Sequence, residues 1–250
     1  MILPPLVLVP GLLCDDAVWE AQRVAFADRT TVLIPRHGDA DSLGLMAAQT
    51  LAAAPPRFAL VGHSMGGRVA LEILARAPER VERLALLDTG FEGLSPGEAG
   101  DAERAGRMKL LAIAREQGMR AMGTEWAKGM VHPQRLVDAP LMDAILGMIE
   151  RATPDVFAAQ INALLNRPDR TSLLAGIRVP TLVLCGHDDA WSNLARHRVL
   201  ARHIPGSELV DIPECGHMST MERPAELNQA LLAWLTDAPQ PHAVSKNQGE

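Results

Sequence analysis

The sequence FALVGHSMGG occupies residues 58–67 and contains a G-x-S-x-G pentapeptide that runs from Gly62 to Gly66. A short apolar run precedes the pentapeptide, and a helix-patterned stretch at residues 68–77 follows it. The order of strand, tight turn and helix is the one a nucleophile elbow requires, because the serine must stand on a sharp, strained turn with its hydroxyl exposed. We therefore expect Ser64 to be a nucleophile.

In this interpretation, the residues around Ser64 are small because the turn leaves no room for larger side chains. A Cβ atom at Gly62 or Gly66 is expected to collide with the turn or with the helix packed beneath it. The same small side chains expose the backbone N–H of Met65 at the start of the helix, where aligned N–H groups favour negative charge. Met65 is therefore a candidate donor to an oxyanion.

Length and composition restrict the classes of protein that fit. A chain of 250 residues that is 48% hydrophobic can form one sizeable α/β domain. Its formal charge is −6, and Lys and Arg are scattered along the sequence, so nucleic acid is not expected as a partner. No apolar run reaches about 18 residues, and residues 1–10 lack the features of a signal peptide. With an odd count of three cysteines, these features predict a cytoplasmic protein without a membrane partner.

Strand-like and helix-like patterns alternate along the chain. Asp15 or Asp16 is expected to cap the first helix, Ser42 the second, and Pro224 opens the last one. This alternation predicts an α/β fold with a mostly parallel sheet flanked by helices, whose sites lie at the carboxyl ends of the strands. The strand-like runs are residues 6–9, 31–34, 58–61, 84–87, 181–185 and 208–212.

The pattern between Gly90 and Leu174 is helical throughout and carries more than half of the methionines. Two interpretations remain open: these side chains fill gaps between helices, or they line an acyl pocket beneath a helical lid. We expect an α/β core at residues 1–90 and 175–237, a helical cap at 91–174 and a disordered tail at 238–250. The methionines concerned are Met108, Met119, Met122, Met130, Met142 and Met148.

Four stretches carry a resemblance to a known family. With them the chain resembles the α/β-hydrolase superfamily, in its lidded carboxylesterase and lactonase branch, over nearly its whole length. The resemblance implies that Ser64 is the nucleophile, His217 the base and Asp189 the acid, in the chain order of that family. Asp188 and Asp88 are rival candidates for the acid. The stretches are VPGLL at 9–13, VGHSMGG at 61–67, VPTLVLCGHDD at 179–189 and CGHMSTMERP at 215–224.

The resemblance also assigns residues around these three. It implies a second oxyanion donor at the N–H of Leu12, although the loop here has Pro-Gly where many relatives have His-Gly. Leu13 and Cys14 are expected to face the pocket. Trp191 is expected to line the pocket too, with a packing role as the alternative. His63 is interpreted as structural, because elbow geometry points its side chain away from the serine.

The predicted function is therefore a serine esterase that cleaves a small or medium carboxylic ester through an acyl-enzyme. A lactonase of the enol-lactone type and a C–C bond hydrolase are alternatives on the same residues, and a non-catalytic ligand-binding protein is a less favoured one. No cofactor is required. No metal site is expected, since no Cys-x-x-Cys or His-x-x-x-His spacing occurs. The expected partner is a small ester or lactone, and the sequence assigns no oligomeric state.

Overall fold

A computed structural model describes residues 3–237 of the chain, and the tail predicted at 238–250 lies outside the described residues. Six strands form one parallel sheet in the order β2-β1-β3-β4-β5-β6. This sheet confirms the predicted fold class, and each strand lies on or overlaps a strand-like run of the sequence. The strands are β1 (Leu6–Val9), β2 (Val32–Leu33), β3 (Phe58–His63), β4 (Val81–Leu87), β5 (Thr181–Gly186) and β6 (Glu208–Ile212).

Helices follow most strands and several begin at a capping side chain. The hydroxyl of Ser42 accepts a hydrogen bond from the N–H of Leu45, as its place in the sequence predicts. Pro224 occupies the first position of the last helix. The helices are α1 (Glu20–Phe26), α2 (Leu43–Ala53), α3 (Met65–Arg76), α4 (Glu98–Gln117), α5 (Met119–Ala127), α6 (Ala139–Glu150), α7 (Pro154–Leu165), α8 (Thr171–Leu174), α9 (Leu194–His203), α10 (Ser219–Glu222) and α11 (Pro224–Thr236).

The centre of the sheet is the core of the molecule. Every residue of β1, β3 and β5 is buried, as expected of parallel strands that helices cover on both faces. The register places Val9 opposite Gly62, and it pairs Leu87 with both His63 and Leu184. The carboxyl ends of the central strands therefore meet at one edge of the sheet.

Helices α4 to α8 form the connection between β4 and β5, and we call them the inserted helices. No strand occurs within the described residues from 88 to 180, in agreement with the helical pattern of this part of the sequence. Arg170, which precedes α8, donates two hydrogen bonds of 2.6 Å each to the buried carboxylate of Glu72 on α3. None of the helices between residues 3 and 237 combines the length and the apolar character that crossing a membrane requires.

Candidate active site

Ser64 forms the turn between β3 and α3. Its backbone has φ +55° and ψ −119°, a conformation that few residues other than glycine adopt and that the elbow motif predicts. A Cβ atom on Gly62 would collide with the backbone of Gly66 and Gly67, and one on Gly66 would collide with the backbone of Val9. The turn is thus tight because the chain is packed against it on both sides.

His217 lies within hydrogen-bonding distance of both Ser64 and Asp189. The Oγ atom of Ser64 lies 2.8 Å from Nε2 of His217, and Nδ1 of His217 lies 2.7 Å from Oδ2 of Asp189. The other carboxylate oxygen of Asp189 accepts hydrogen bonds of 2.8 Å from the N–H groups of Trp191 and Ser192. The carboxylate is therefore fixed on both oxygens, with one aimed at the imidazole.

The negative charge of Asp189 and the positive charge of His217 stabilise each other. Burial raises the pKa of the Asp189 carboxyl, but the charge of His217 and the hydrogen bonds from His217 and two N–H groups outweigh burial and hold the pKa below its ordinary value. Burial lowers the pKa of His217, but the charge and hydrogen bond of Asp189 outweigh it and raise the pKa above its ordinary value. The site therefore stabilises an imidazolium next to the serine.

The rival acids are placed differently. Asp188 is exposed, and its carboxylate lies 3.7 Å from Nε2 of His132. Asp88 is buried, accepts a hydrogen bond of 2.9 Å from the N–H of Gly186, and accepts another from the hydroxyl of Ser219. Burial and the negative charge of Asp189 raise the pKa of Asp88 to about 8. Asp88 is therefore harder to ionise than an ordinary aspartate, and its two hydrogen bonds come from Gly186 and Ser219 rather than from the imidazole of His217.

His63 lies behind the site rather than in it. Its Nε2 lies 2.8 Å from the carbonyl oxygen of His217, which can only accept, so Nε2 carries the proton. Its ring makes an edge contact with Trp19 at a centroid distance of 6.2 Å. Burial and the charge of His217 lower the pKa of His63 to about 3. A neutral His63 thus holds the backbone of His217, which agrees with the structural role expected from the sequence.

The backbone of the loop around His217 is held by Glu222 of α10. One carboxylate oxygen of Glu222 accepts hydrogen bonds of 3.1 Å from the N–H groups of Gly216 and Met218, and the other accepts one of 2.7 Å from the N–H of His132. The N–H of His217 itself donates to the carbonyl of Met130 at 2.8 Å. The position of His217 therefore depends on the segment between α5 and α6.

Two backbone N–H groups are available to an oxyanion beside Ser64. Met65 is the first residue of α3, where an N–H has no intrahelical acceptor, and the N–H of Leu12 has no partner within residues 3–237. The neighbouring N–H of Leu13 donates to Oε1 of Gln160, whose amide nitrogen donates to the carbonyl of Gly38. Gln160 thereby holds the loop that presents Leu12.

A cavity of about 550 Å³ opens above Ser64 and His217. Leu12 and Met65, the expected oxyanion donors, and Trp191, the expected pocket residue, lie in its lining. Trp191 stacks on Trp126 of α5 at a centroid distance of 5.4 Å and lies 4.9 Å from the ring of His217. Aromatic surface from both the core and the inserted helices therefore lies next to the reacting groups.

Leu13 and the methionines of the inserted helices do not line this cavity. Leu13 is buried with φ +59°, and its N–H is directed to Gln160. The structure therefore does not place Leu13 where the sequence predicted it, and its contact with substrate stays a prediction. Of the two interpretations of these methionines, the lining of this cavity favours helix packing: Met130 and Met148 line a smaller recess beside Ser64, together with Cys14. Of the others, Met119 and Met122 are buried, Met142 is partly buried and Met108 is exposed.

The match of this chain to known proteins agrees with the geometry. Residues 6–230 match the model of the alpha/beta hydrolase family. The chain belongs to the alpha/beta hydrolase family. It is 30% identical over 237 residues to the putative carbamate hydrolase RutD of Klebsiella pneumoniae, covering 86% of this chain and 84% of that protein. It is 26% identical to the pimeloyl-[acyl-carrier protein] methyl ester esterase of Nitrosomonas europaea, with 89% and 92% covered.

A solved structure is similar over nearly the whole length of this alpha/beta hydrolase. The thermophilic esterase of Thermogutta terrifontis, described with malate bound, superposes with a TM-score of 0.81 at 29% identity. The match covers 94% of this chain and 90% of that one. The family and these relatives together support hydrolase activity for the chain.

Sequence reasoning missed the charged part of the cavity of this alpha/beta hydrolase. Its lining includes four arginines, Arg68, Arg107, Arg167 and Arg196. Only one of them had a signal in the sequence: Arg68 stands four residues after Ser64, so it lies one helical turn further along α3. The other three come from distant segments, and only the fold brings them together. Trp126 was missed for the same reason.

Proposed function

We propose that this alpha/beta hydrolase is a serine hydrolase that cleaves a carboxylic ester through an acyl-enzyme. The observation that carries the proposal is the 2.8 Å distance between Oγ of Ser64 and Nε2 of His217 at the base of a cavity. A serine hydroxyl is a weak nucleophile at neutral pH, so it needs a base in this position. Asp189 holds the imidazole so that Nδ1 carries a proton and Nε2 is free to accept one.

In the first half of the reaction, Oγ of Ser64 attacks the carbonyl carbon of the ester while His217 takes the hydroxyl proton. The carbonyl oxygen becomes an oxyanion that accepts hydrogen bonds from the N–H groups of Leu12 and Met65. The tetrahedral intermediate then collapses. His217 gives its proton to the leaving alcohol, and the acyl group remains bonded to Ser64.

In the second half, water takes the place of the alcohol. His217 removes a proton from the water as its oxygen attacks the acyl carbon, and the same two N–H groups stabilise the second oxyanion. Collapse returns the proton to Ser64 and releases the carboxylic acid. The balance is one ester and one water consumed for one acid and one alcohol formed.

We propose that residues 91–174, which contain the inserted helices, act as a lid over the cavity. They contribute Trp126 and Phe157 to the lining of the cavity, so they shield the reacting groups from water. The segment that joins α5 to α6 supplies the carbonyl of Met130 that holds the backbone of His217. A lid in this position both encloses the substrate and completes the site.

The relatives support the choice of substrate class. Two of them are described as esterases, one for a methyl ester and one thermophilic. The 30% identical relative is described as a putative carbamate hydrolase, which makes a carbamate the second candidate substrate. A carbamate presents a carbonyl carbon to the same serine, so the mechanism above applies with a different leaving group.

The test is hydrolysis of p-nitrophenyl esters from acetate to decanoate by wild type and by Ser64→Ala. Wild type should turn over and the variant should not, and the chain length of the best ester measures how much acyl chain the cavity admits. Ser172→Ala is the matched control, because Ser172 is exposed on α8 and should leave the rate unchanged. Equal rates for Ser64→Ala and wild type would refute the proposal. If wild type is inactive on every ester, carbamates, lactones and C–C substrates replace the ester in the proposal.

A further inference from the structure

The four arginines that line the cavity outnumber the carboxylates that pair with them. Arg107 and Arg167 share one carboxylate, that of Glu103. Arg107 donates to Oε1 at 2.9 Å, and Arg167 donates to Oε1 at 2.7 Å and to Oε2 at 2.8 Å. Burial opposes ionisation of Glu103, but the hydrogen bond from Arg167 and the two positive charges outweigh it and lower its pKa to about 2. Glu103 is therefore ionised, and both of its carboxylate oxygens already accept hydrogen bonds from arginines.

The other two arginines, Arg68 and Arg196, both donate to Glu92, but only Arg196 donates to its carboxylate. Arg196 donates to the Oε2 atom of Glu92 at 2.7 and 3.1 Å. Arg68 donates at 2.7 Å to the backbone carbonyl of Glu92, and no carboxylate lies within 4.0 Å of it in residues 3–237. Four guanidinium groups thus face two carboxylates. Arg68 is the one among them that forms no ion pair in the described part of the chain.

Arg68 and Arg196 lie side by side at the end of β4. A Cβ atom built on Gly90 would lie 2.8 Å from Nη2 of Arg68 and 2.9 Å from Nε of Arg196. Gly90 follows Thr89, whose hydroxyl donates at 2.6 Å to the carbonyl of Ser64. The two guanidinium groups therefore lie against a backbone segment, residues 89 and 90, that is hydrogen-bonded to the backbone of Ser64.

This arrangement places the positive charge of Arg68 in an unfavourable environment. Burial, followed by the charges of Arg167 and Arg196, lowers the pKa of Arg68 to about 9. The surroundings thus disfavour the positive charge of Arg68, and an anion placed next to it would relieve this effect. A neutral substrate in the same place would leave the guanidinium desolvated and unpaired.

We propose that Arg68, with Arg196 beside it, binds a free carboxylate of the substrate, so that the enzyme prefers esters carrying a second, ionised carboxyl group. This proposal rests on the proposed function for its catalytic readout. A carboxylate matches the site because a planar guanidinium binds its two oxygens in a bidentate way and because its single charge pairs the one guanidinium that lacks an anion.

The kinetic test compares half-esters with diesters. Monomethyl and dimethyl esters of succinate, glutarate, adipate and suberate are hydrolysed in a pH-stat at pH 7.5. For the best chain length, kcat/KM of the half-ester should exceed that of the diester by about tenfold to a hundredfold, the range expected of a hydrogen bond to a charged group. Acetate esters of ω-hydroxy acids form a second arm, which shows whether the carboxylate belongs to the acyl part or to the alcohol.

The variant Arg68→Met removes the guanidinium group and its charge and keeps an unbranched apolar side chain, which is shorter than that of arginine. Its ratio of half-ester to diester kcat/KM should fall to about one. The ratio is taken within one variant, so a general loss of activity or stability cancels. Arg76→Met is the matched control, because Arg76 is exposed on the same helix and its loss removes the same charge. It should keep the wild-type ratio.

A binding measurement separates this proposal from the catalytic one. Adipate is titrated calorimetrically into Ser64→Ala and into the double variant Ser64→Ala/Arg68→Met, with dimethyl adipate and inorganic phosphate as comparisons. Adipate should bind the first protein at least about tenfold more tightly than the second. This result would support the carboxylate site even if no ester were hydrolysed. A half-ester preference that survives Arg68→Met, equal adipate affinity in both proteins, or phosphate binding more tightly than adipate would overturn the proposal.

Discussion

Replacement of Asp189 by asparagine changes one atom of the site and should remove most of the activity. Asp189 accepts three hydrogen bonds: Oδ1 accepts from the N–H groups of Trp191 and Ser192, and Oδ2 accepts from Nδ1 of His217. An asparagine keeps the first two if its carbonyl oxygen takes the place of Oδ1. Its amide N–H₂ group then faces His217, where the wild type has an acceptor.

The opposite orientation of the asparagine is less favourable. Its N–H₂ group would face the two backbone N–H groups, leaving two buried donors without an acceptor at about 1–3 kcal/mol each. The variant should therefore adopt the first orientation, in which Nδ1 of His217 must accept a hydrogen bond. The proton of the neutral imidazole then moves to Nε2, which points at Ser64. In that tautomer His217 cannot take the proton of the serine.

The expected loss is about 10⁴-fold in kcat, which corresponds to ~5.4 kcal/mol because each factor of ten in rate is worth about 1.36 kcal/mol. The assay is the initial rate on the best p-nitrophenyl ester under saturation, with near-ultraviolet circular dichroism to verify the fold. Asp188→Asn is the matched control, because it makes the same change at the exposed neighbouring residue and should keep normal kcat. Near-normal kcat in Asp189→Asn would refute the reasoning, and so would an equal loss in Asp188→Asn.

Three further outcomes are expected. Ser64→Ala and His217→Ala should each remove most of kcat, and the double variant should lose little more, because the two residues act as one unit; additive losses in the same assay would contradict this. The kcat/KM profile should fall with decreasing pH through a pKa above the ordinary 6.5 of histidine, because protonated His217 cannot act as base. Glu72→Gln should lower the free energy of unfolding in urea by about 1–3 kcal/mol, since it breaks a pair with Arg170 that is buried on the glutamate side only; an unchanged midpoint would argue against any contribution.

Local rules predicted the part of the site that local sequence controls. The strained turn at Ser64 needs small neighbours and a strand before it, and these are visible in ten consecutive residues. Asp189 and His217 were implied by the family resemblance, and their positions agree with a parallel sheet, in which residues after β5 and β6 lie at the same edge as residues after β3. The choice of Asp189 over Asp188 was implied by the family resemblance, and the structure places only Asp189 against the imidazole.

The errors and omissions have physical reasons as well. The positions of Arg68, Arg107, Arg167 and Arg196 span more than half of the chain, so a scan for charge clusters along the sequence could not show that they converge. The positive φ of Leu13 sets the direction of its N–H and side chain, and nothing in residue identity predicts it.

The helix α9 shows a similar limit. Only two of its residues, His197 and Leu200, are buried, so its apolar periodicity is too weak to identify a helix. The tautomer and contacts of His63 likewise depend on packing against Trp19 and His217, which lie far away in the sequence.

The hydrogen bonds from the N–H of His132 to Glu222 and from the N–H of His217 to the carbonyl of Met130 have a consequence for protein engineering. The segment at residues 130–132, which lies between α5 and α6, supports the proposed general base, so exchanging residues 91–174 for those of another family member would also exchange that support. A chimaera that keeps 130–132 with the core should retain its turnover while its substrate range changes. A chimaera that replaces residues 130–132 should fold but have a low turnover rate, because its histidine would no longer be held next to the serine.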